Sequence, residues 1–429
     1  MSANRRAGLL GLIAVLVAAG SLTAAGLSSR DVGAATSSFE RVALDSRTFV
    51  CTGGLPGSQA ETGSTAEGRR PDAAIGTTPV VVGMDQEAVA SAYAAQRAEA
   101  PTWSAWTPCP EPRARWFFVG AGAGVGHDTV LTVHNPRTGA AVVDIDVFGA
   151  DGAVDAPRLH GITIEPNATA TYDLADVAPA PGEVAVRVIA RRGLVAVSAA
   201  DSFSPGTVGK PVREWLPAQT LPSMRTTLVG LPVKPSTATL IVANPGQTEA
   251  LAEIKVIGAD GTFSPTDGAT LQVPPRSIAK LPVTGVFNGS PSAIRVESDR
   301  SLTATVRSLA DGDVGFATGV RRLRGTTSVA VPAGAGQLVL SSVGPAGRVT
   351  VTTYDAKGRQ VGEPQQIEVA EQTTLAVPLG AKVRTVSIEA GDSPGLVAGL
   401  VHQAPHALVT SGITPAIREI RLPVVRPGW

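Results

Sequence analysis

Residues 131–152 read LTVHNPRTGAAVVDIDVFGADG, and this stretch decides the fold because it recurs along the chain. Residues 240–261 read LIVANPGQTEALAEIKVIGADG, at an offset of 109 residues without a gap. A weaker third copy, LVLSSVGPAGRVTVTTYDAKG, spans residues 338–358. Each copy has the order strand, turn, strand, turn. Self-similarity at a fixed spacing is typical of a repeated supersecondary unit, so the sequence predicts an array of β units.

Alternation of apolar and charged residues inside the copies indicates half-buried strands. Residues 144–147 read Asp-Ile-Asp-Val and residues 253–256 read Glu-Ile-Lys-Val, which is a period of two. Each unit has about six or seven short strands in roughly 100 residues, the pattern of an antiparallel β-sandwich. We therefore predict an all-β chain of three tandem immunoglobulin-like β-sandwich units. Closure of the three units into one propeller-like ring is the alternative.

The dipeptide Asn-Pro ends the first strand of two copies, as Asn135-Pro136 and Asn244-Pro245. An asparagine side chain can bond to nearby backbone, and proline fixes the direction in which the chain leaves the strand. Because the motif recurs in two units, we interpret it as a structural signature rather than a site.

The repeats also define the predicted domains. Residues 1–35 are a signal peptide or N-terminal membrane anchor, and residues 36–115 are a head region. Sandwiches 1, 2 and 3 then follow as residues 116–222, 223–325 and 326–429.

The amino terminus has the pattern of an export signal. Arg5 and Arg6 precede the uncharged residues 7–29, and Gly33-Ala34-Ala35 offers a small-residue cleavage site. The apolar run is also just long enough to span a bilayer, so a cleaved signal and a retained anchor both remain open. In either case the two arginines stay inside, and the bulk of the chain is predicted to be extracytoplasmic.

The chain has two cysteines, Cys51 and Cys109. Two cysteines in an exported chain most often form one disulfide, which would tie the head region together. Closing a loop of this length stabilises a fold by about 4 kcal/mol. Two unpaired buried thiols are the alternative.

The head region is also predicted to contain the one short helix of the exported part. Residues 88–100 are rich in Ala, Glu and Gln, with Asp85 as the N-cap and Pro101 at the end. Trp103 and Trp106 follow, close to the second cysteine. They are candidate contacts for a sugar or a protein partner, and packing of the head against sandwich 1 is the competing interpretation.

Several classes of function are disfavoured by composition and motifs. Lys+Arg and Asp+Glu both number 36, so the formal net charge is zero and nucleic acid is not an expected partner. The glycine-rich residues 120–126 lack the spacing of a dinucleotide loop and are predicted to be an inter-strand loop. His402 and His406 lack a third metal ligand in sequence. We therefore predict no catalytic, metal or cofactor site.

The chain combines an export signal, residues 48–51 (TFVC), Cys109 ahead of residues 115–118 (RWFF), and the strand–Asn–Pro units. This combination resembles an uncharacterised family of exported actinobacterial proteins, a domain of unknown function. The resemblance covers most of the exported chain. It implies a location in the cell envelope, and it supplies no activity and no catalytic residues.

The sequence thus favours a non-enzymatic exported envelope protein that acts as a scaffold or protein-interaction module. A cell-wall polysaccharide-binding module that uses Trp103 and Trp106, and an envelope enzyme of unrecognised type, are the alternatives. The expected partner is an envelope protein or a cell-wall glycan. The membrane would be a further partner through the N-terminal segment if that segment is not cleaved.

Overall fold

The computed structural model describes residues 39–43, 46–51, 55, 59–64, 71–74, 79–85, 94–101, 103–204, 211–266, 268–332, 334–391, 393, 395–415 and 419–423. The predicted signal or anchor, residues 1–35, lies outside them. Among the described residues, no helix has the length and apolar character needed to cross a membrane. The chain divides into two compact units, one formed by Met1–Leu44 with Ile417–Trp429 and the other by Asp45–Ala416.

The smaller unit contains the first and last described strands. Strand β1 (Phe39–Ala43) pairs antiparallel with β33 (Glu419–Pro423), and Phe39 lies opposite Pro423. A two-stranded sheet therefore joins segments from the two ends of the chain.

The head region is built from short strands. They are β2 (Ser46–Cys51), β3 (Gln59–Ser64), β4 (Pro71–Ala74), β5 (Val80–Asp85), β6 (Ala94–Ala100) and β7 (Trp103–Pro108). β2 pairs with β5, and the other four form a sheet in the order β4-β3-β6-β7.

The predicted helix over residues 88–100 is wrong for its described part. Residues 94–100 form β6, which pairs with β3 on one edge and with β7 on the other. Helix propensity amounts to only tenths of a kcal/mol per residue, and hydrogen bonds along two strand edges outweigh it. Asp85 ends strand β5 instead of capping a helix, and residues 86–93 lie outside the described part of the chain.

Sandwich 1 follows the head. Its strands are β8 (Arg115–Gly124), β9 (His127–His134), β10 (Ala141–Gly149), β11 (Gly152–Val154), β12 (Ile162–Ile164), β13 (Thr169–Asp173), β14 (Glu183–Arg192), β15 (Ala196–Phe203) and β16 (Val212–Leu216). A 3-10 turn (Pro157–Leu159) and the short helix α1 (Leu174–Val177) connect them. β10 pairs with β11, β12 and β14, while β9 pairs with β13 and β15 in the facing layer.

Sandwich 2 repeats this arrangement. Its strands are β17 (Ser223–Leu228), β18 (Thr237–Asn244), β19 (Ala250–Ile257), β20 (Thr262–Phe263), β21 (Thr270–Val273), β22 (Ser277–Pro282), β23 (Ala293–Ala310) and β24 (Asp313–Val320), with a 3-10 turn at Thr284–Val286. β23 is 18 residues long and pairs with β19 in one layer and with β18 in the other.

Sandwich 3 has two four-stranded sheets. Its strands are β25 (Thr326–Ala330), β26 (Gly336–Ser342), β27 (Gly347–Tyr354), β28 (Gln365–Val369), β29 (Thr374–Leu379), β30 (Thr385–Glu389), β31 (Leu396–Ala404) and β32 (Ala407–Ile413). The strand orders are β25-β30-β27-β28 and β29-β26-β31-β32.

Equivalent strands of the three copies have equivalent partners. In one layer, β10 pairs with β14, β19 with β23, and β27 with β30. In the other layer, β9 pairs with β15, β18 with β23, and β26 with β31. All six pairs are antiparallel. Each copy has its own cluster of buried apolar residues, and the cluster of sandwich 1 extends into the head and to Val314 and Phe316 on β24. The predicted fold class, all-β with tandem antiparallel sandwiches, is confirmed.

The Asn-Pro motif performs the same structural task in sandwiches 1 and 2. The buried side-chain amide of Asn135 donates to the carbonyl oxygens of Gly139 (2.8 Å) and Ile164 (3.0 Å), and Asn244 makes the matching pair of bonds. In sandwich 3, Ser342 stands at the end of β26 and its hydroxyl donates to the carbonyl of Pro345. The bonds of Asn135 and Asn244 hold the turn against strands β12 and β21, whereas the Ser342 bond stays within its own turn.

The glycine-rich residues 120–126 are not the loop that the sequence predicts. β8 continues through Gly124, and the turn lies between Gly124 and His127. Close approach of two strands explains the small residues, because a Cβ on Gly122 would lie 2.2 Å from the carbonyl oxygen of His127.

Candidate functional site

The two cysteines of the head region form the predicted disulfide. Cys51 and Cys109 are bonded, with their Cα atoms 4.7 Å apart and both side chains buried. The bond lies next to a backbone hydrogen bond from Val50 N to the carbonyl of Pro110. The segment that follows β7 is thereby fastened to β2.

The two candidate contact tryptophans are both on β7 and both buried. Trp103 is 5% exposed and belongs to the apolar core of sandwich 1. Trp106 is 8% exposed and packs in a small cluster with Ala95, Ala330 and Val409, so it touches sandwich 3. Neither indole presents an open ring face to a ligand, and glycan stacking therefore gains no support.

The edge of β7 that does not pair with another strand is bonded to carboxylates. β7 pairs with β6 along one edge. On the other edge, the backbone N–H of Ser104 donates to Asp313 Oδ2 (3.2 Å), and the backbone N–H of Trp106 donates to the carboxylate of Glu214. Two side chains from two different sandwiches thus take the place that a neighbouring strand would have.

Asp313 is the first residue of β24 and is fully buried. Besides Ser104, its carboxylate accepts the backbone N–H of Val314 (2.9 Å) and of Leu408 on β32 (3.0 Å). Burial raises the pKa of Asp313 to about 6 even though the three N–H bonds favour the charged form. One carboxylate therefore links the head, sandwich 2 and sandwich 3.

Glu214 lies on β16 and is 3% exposed. Its carboxylate accepts the N–H of Trp215 (2.8 Å) as well as that of Trp106. Burial raises the pKa of Glu214 well above its ordinary value, and the negative charges of Asp313 and Asp201 raise it further. Asp201 stands directly opposite Glu214 in the β15–β16 pair, where two like charges are unfavourable.

Asp201 is buried and has partners of its own. It accepts a hydrogen bond from the hydroxyl of Thr129 (2.5 Å), and His127 Nε2 lies 3.1 Å from each of its carboxylate oxygens. The Thr129 hydroxyl in turn accepts the backbone N–H of Gly122 (2.8 Å). Asp201, Glu214 and Asp313 together are called the acidic junction below.

A second carboxylate, Glu183 on β14, joins sandwiches 1 and 2 in a different way. Lys280 Nζ and Arg307 Nη1 each lie 2.6 Å from one of its carboxylate oxygens. Burial alone would raise the pKa of Glu183, but the hydrogen bond from Lys280 and the charges of Arg307 and Lys280 lower it to about 2. Glu183, Lys280 and Arg307 are called the ion-pair interface.

The comparison with known proteins gives a family but no activity. A model for a family of unknown function, DUF5719, matches residues 64–380. The chain belongs to this family. The matched segment includes all three residues of the acidic junction and ends at the close of β29 in sandwich 3. No curated protein matches the chain.

Sequence reasoning did not find the acidic junction, although part of its signal was present. Alternation in β15 and β16 places Asp201 and Glu214 at inward-facing positions among apolar residues. An acidic residue at such a position is costly to bury, and it could have been singled out on that ground. Asp313 gave no comparable signal, because nearly every residue of β24 is buried and no alternation marks its inner face.

Carboxyl groups with raised pKa values can serve as general acids or bases. In the acidic junction, however, the carboxylates are buried and already bonded to backbone N–H groups: Asp313 accepts from Ser104 and Leu408 on other strands and from Val314, and Glu214 accepts from Trp215 on its own strand. No group of three or more metal-ligating side chains is present in the part of the chain that the structure describes. The chemistry that this arrangement supports directly is fastening of strands from the head and the three sandwiches.

Proposed function

We propose that the chain is a non-enzymatic scaffold or protein-interaction protein of the cell envelope. The observation that carries this proposal is the structural use of two buried carboxylates with raised pKa values. Asp313 accepts backbone N–H groups from β7 and β32, and Glu214 accepts one from β7, so both buried carboxylates fasten strands to one another. Fixed β-sandwiches present extended surfaces to a partner without requiring a catalytic centre.

An extracytoplasmic location is part of the proposal. A disulfide such as Cys51–Cys109 persists in oxidising compartments and is uncommon in the cytosol. The amino-terminal Arg5 and Arg6 followed by an apolar run, and the resemblance to exported actinobacterial proteins, support the same location. Whether the segment acts as a signal or as an anchor does not change the compartment of the sandwiches.

The location is tested by fractionating cells and alkylating free thiols before and after reduction. We expect the full chain in the envelope or secreted fraction with Cys51 and Cys109 resistant to alkylation until they are reduced. Recovery in the cytosol with both thiols reactive would contradict the proposal. A Cys51→Ser, Cys109→Ser double variant supplies the control for background labelling.

The non-enzymatic role is tested with purified exported protein and isolated cell-wall polymers. We expect no turnover by wild-type protein. Turnover that disappears in the Glu214→Gln variant, with circular dichroism unchanged, would show that the acidic junction is catalytic and would overturn the proposal. The matched control is Glu183→Gln, which alters a carboxylate outside the junction.

A further inference from the structure

We propose that the acidic junction is a pH-dependent clasp, which holds head strand β7 on the sandwiches in acidic surroundings and loosens as the pH rises. The clasp concerns the attachment of the head and stands whether or not the protein is a scaffold.

The geometry that carries this inference is the edge of β7. Ser104 and Trp106 are two residues apart on β7, so their N–H groups point to the same edge. The first N–H bonds to Asp313 and the second to Glu214. The two carboxylates belong to β24 and β16, which are strands of different sandwiches. Separation of β7 would break both bonds at once and would open the junction to water.

The charges around the junction explain why it responds to pH. The side-chain charges that act on Glu214 are those of Asp313 on β24 and Asp201 on β15, and all three groups are acids. On β9, the His127 ring and the Thr129 hydroxyl are both hydrogen-bonded to the Asp201 carboxylate. From β7 and β32, the groups that face the carboxylates are backbone N–H groups, which carry no net charge. Deprotonation of Asp313 or Glu214 therefore adds a negative charge next to other acidic side chains in a buried place.

The sign of the response follows from these pKa directions. A carboxyl group with a raised pKa binds its proton more tightly when the junction is closed than when it is open to water. The closed state is therefore favoured fully below the ordinary pKa of Asp313, 3.8, and this advantage is lost as the pH rises through about 6. Glu214 acts in the same direction because its pKa is also raised.

The opening is expected to be local. The disulfide between Cys51 and Cys109 anchors the chain just beyond β7, so the head stays tethered when β7 separates. Strand β18 lines the core of sandwich 2 and carries no residue of the acidic junction, so it serves as the internal reference.

Hydrogen exchange of the full exported chain tests the clasp. Protection factors of residues 103–108, corrected for the intrinsic pH dependence of amide exchange, are compared with those of β18. Linkage from Asp313 alone predicts that the protection of residues 103–108 falls by about tenfold between about pH 5 and about pH 8. The protection of β18 should change far less.

Two variants sharpen the result. Glu214→Gln keeps the shape of the side chain and removes the contribution of one carboxyl group, so it should reduce the pH dependence of residues 103–108 toward that of Asp313 alone. Glu183→Gln, at the ion-pair interface, should leave that dependence unchanged. Equal corrected protection at the two pH values, an equal loss in β18, or an unchanged dependence in Glu214→Gln would each overturn the clasp. If Glu214→Gln does not fold, the wild-type comparison of residues 103–108 with β18 still decides.

Discussion

The acidic junction and the ion-pair interface both bury carboxylates between separate parts of the chain, yet their environments push the pKa values in opposite directions. Glu183 has Lys280 and Arg307 within 2.6 Å, and its pKa falls to about 2. Glu214 has two acids as its charged neighbours, and its pKa rises. The same residue type therefore makes one contact that strengthens as protons are removed and another that weakens.

This difference shows how two interfaces between similar sandwiches can respond to a change of pH in opposite directions. Ion pairs between sandwiches 1 and 2 keep those units together at neutral pH. Backbone N–H groups can satisfy the hydrogen-bonding capacity of a carboxylate, but they cannot cancel its charge at long range. The head is therefore attached through carboxylates whose N–H bonds favour the ionised form, while burial opposes that form more strongly and raises the pKa.

The largest effect is expected from Asp313→Ala. The change leaves three buried N–H groups, those of Ser104, Val314 and Leu408, without their acceptor. Each buried unsatisfied donor costs about 1–3 kcal/mol, and relief of the repulsion with Glu214 offsets part of the total. We expect the free energy of unfolding near neutral pH to fall by about 3 kcal/mol in urea denaturation.

The control for Asp313→Ala is Asp151→Ala, which removes an exposed carboxylate from the turn between β10 and β11. Its free energy of unfolding should stay close to that of the wild type. A loss of the same size in both variants would mean that the three N–H bonds of Asp313 are not the cause.

Glu183→Gln should have the next largest effect. Near neutral pH it removes the negative charge that pairs with Lys280 and Arg307, and we expect a loss of about 2 kcal/mol, reduced by partial exposure to water. The wild-type advantage is present above the ordinary pKa of 4.5 and is lost as the pH falls toward about 2. Denaturation curves of both proteins near neutral pH and at strongly acidic pH check this, and a difference that grows on acidification would contradict it.

Glu214→Gln should have the smallest effect, and its sign should be opposite to that of Glu183→Gln. At about pH 8 we expect a gain of about 1 kcal/mol in the free energy of unfolding, because a buried negative charge is removed while the amide oxygen can still accept the N–H of Trp215. At about pH 5 the gain should be smaller, because the raised pKa of Glu214 favours its neutral form increasingly as the pH falls. Chemical denaturation at the two pH values gives the comparison, and a loss at the higher pH would contradict the account.

The sequence predicts the features that depend on interactions within a short stretch or on a repeated pattern. Alternating strands, the Asn135 and Asn244 turns, and the pairing of Cys51 with Cys109 are encoded within short stretches or by simple counting. Strand β6 was missed because its residues favour a helix in isolation, and only pairing with β3 and β7 makes them a strand.

The acidic junction was missed for a related reason. Asp201, Glu214 and Asp313 are brought together by contacts between the head and different sandwiches, and neither spacing nor composition marks such contacts. Trp103 and Trp106 are conspicuous in the sequence because tryptophan is rare in this chain, but their burial shows that rarity alone does not identify a binding surface.

The most direct test of the opposed environments is a carboxyl ¹³C NMR titration of protein labelled at glutamate, with Glu214 and Glu183 assigned from their glutamine variants. The account predicts that Glu214 titrates well above the ordinary value of 4.5 and that Glu183, in the same spectra, titrates at about 2. Titration of both carboxyl groups near the ordinary value would contradict it.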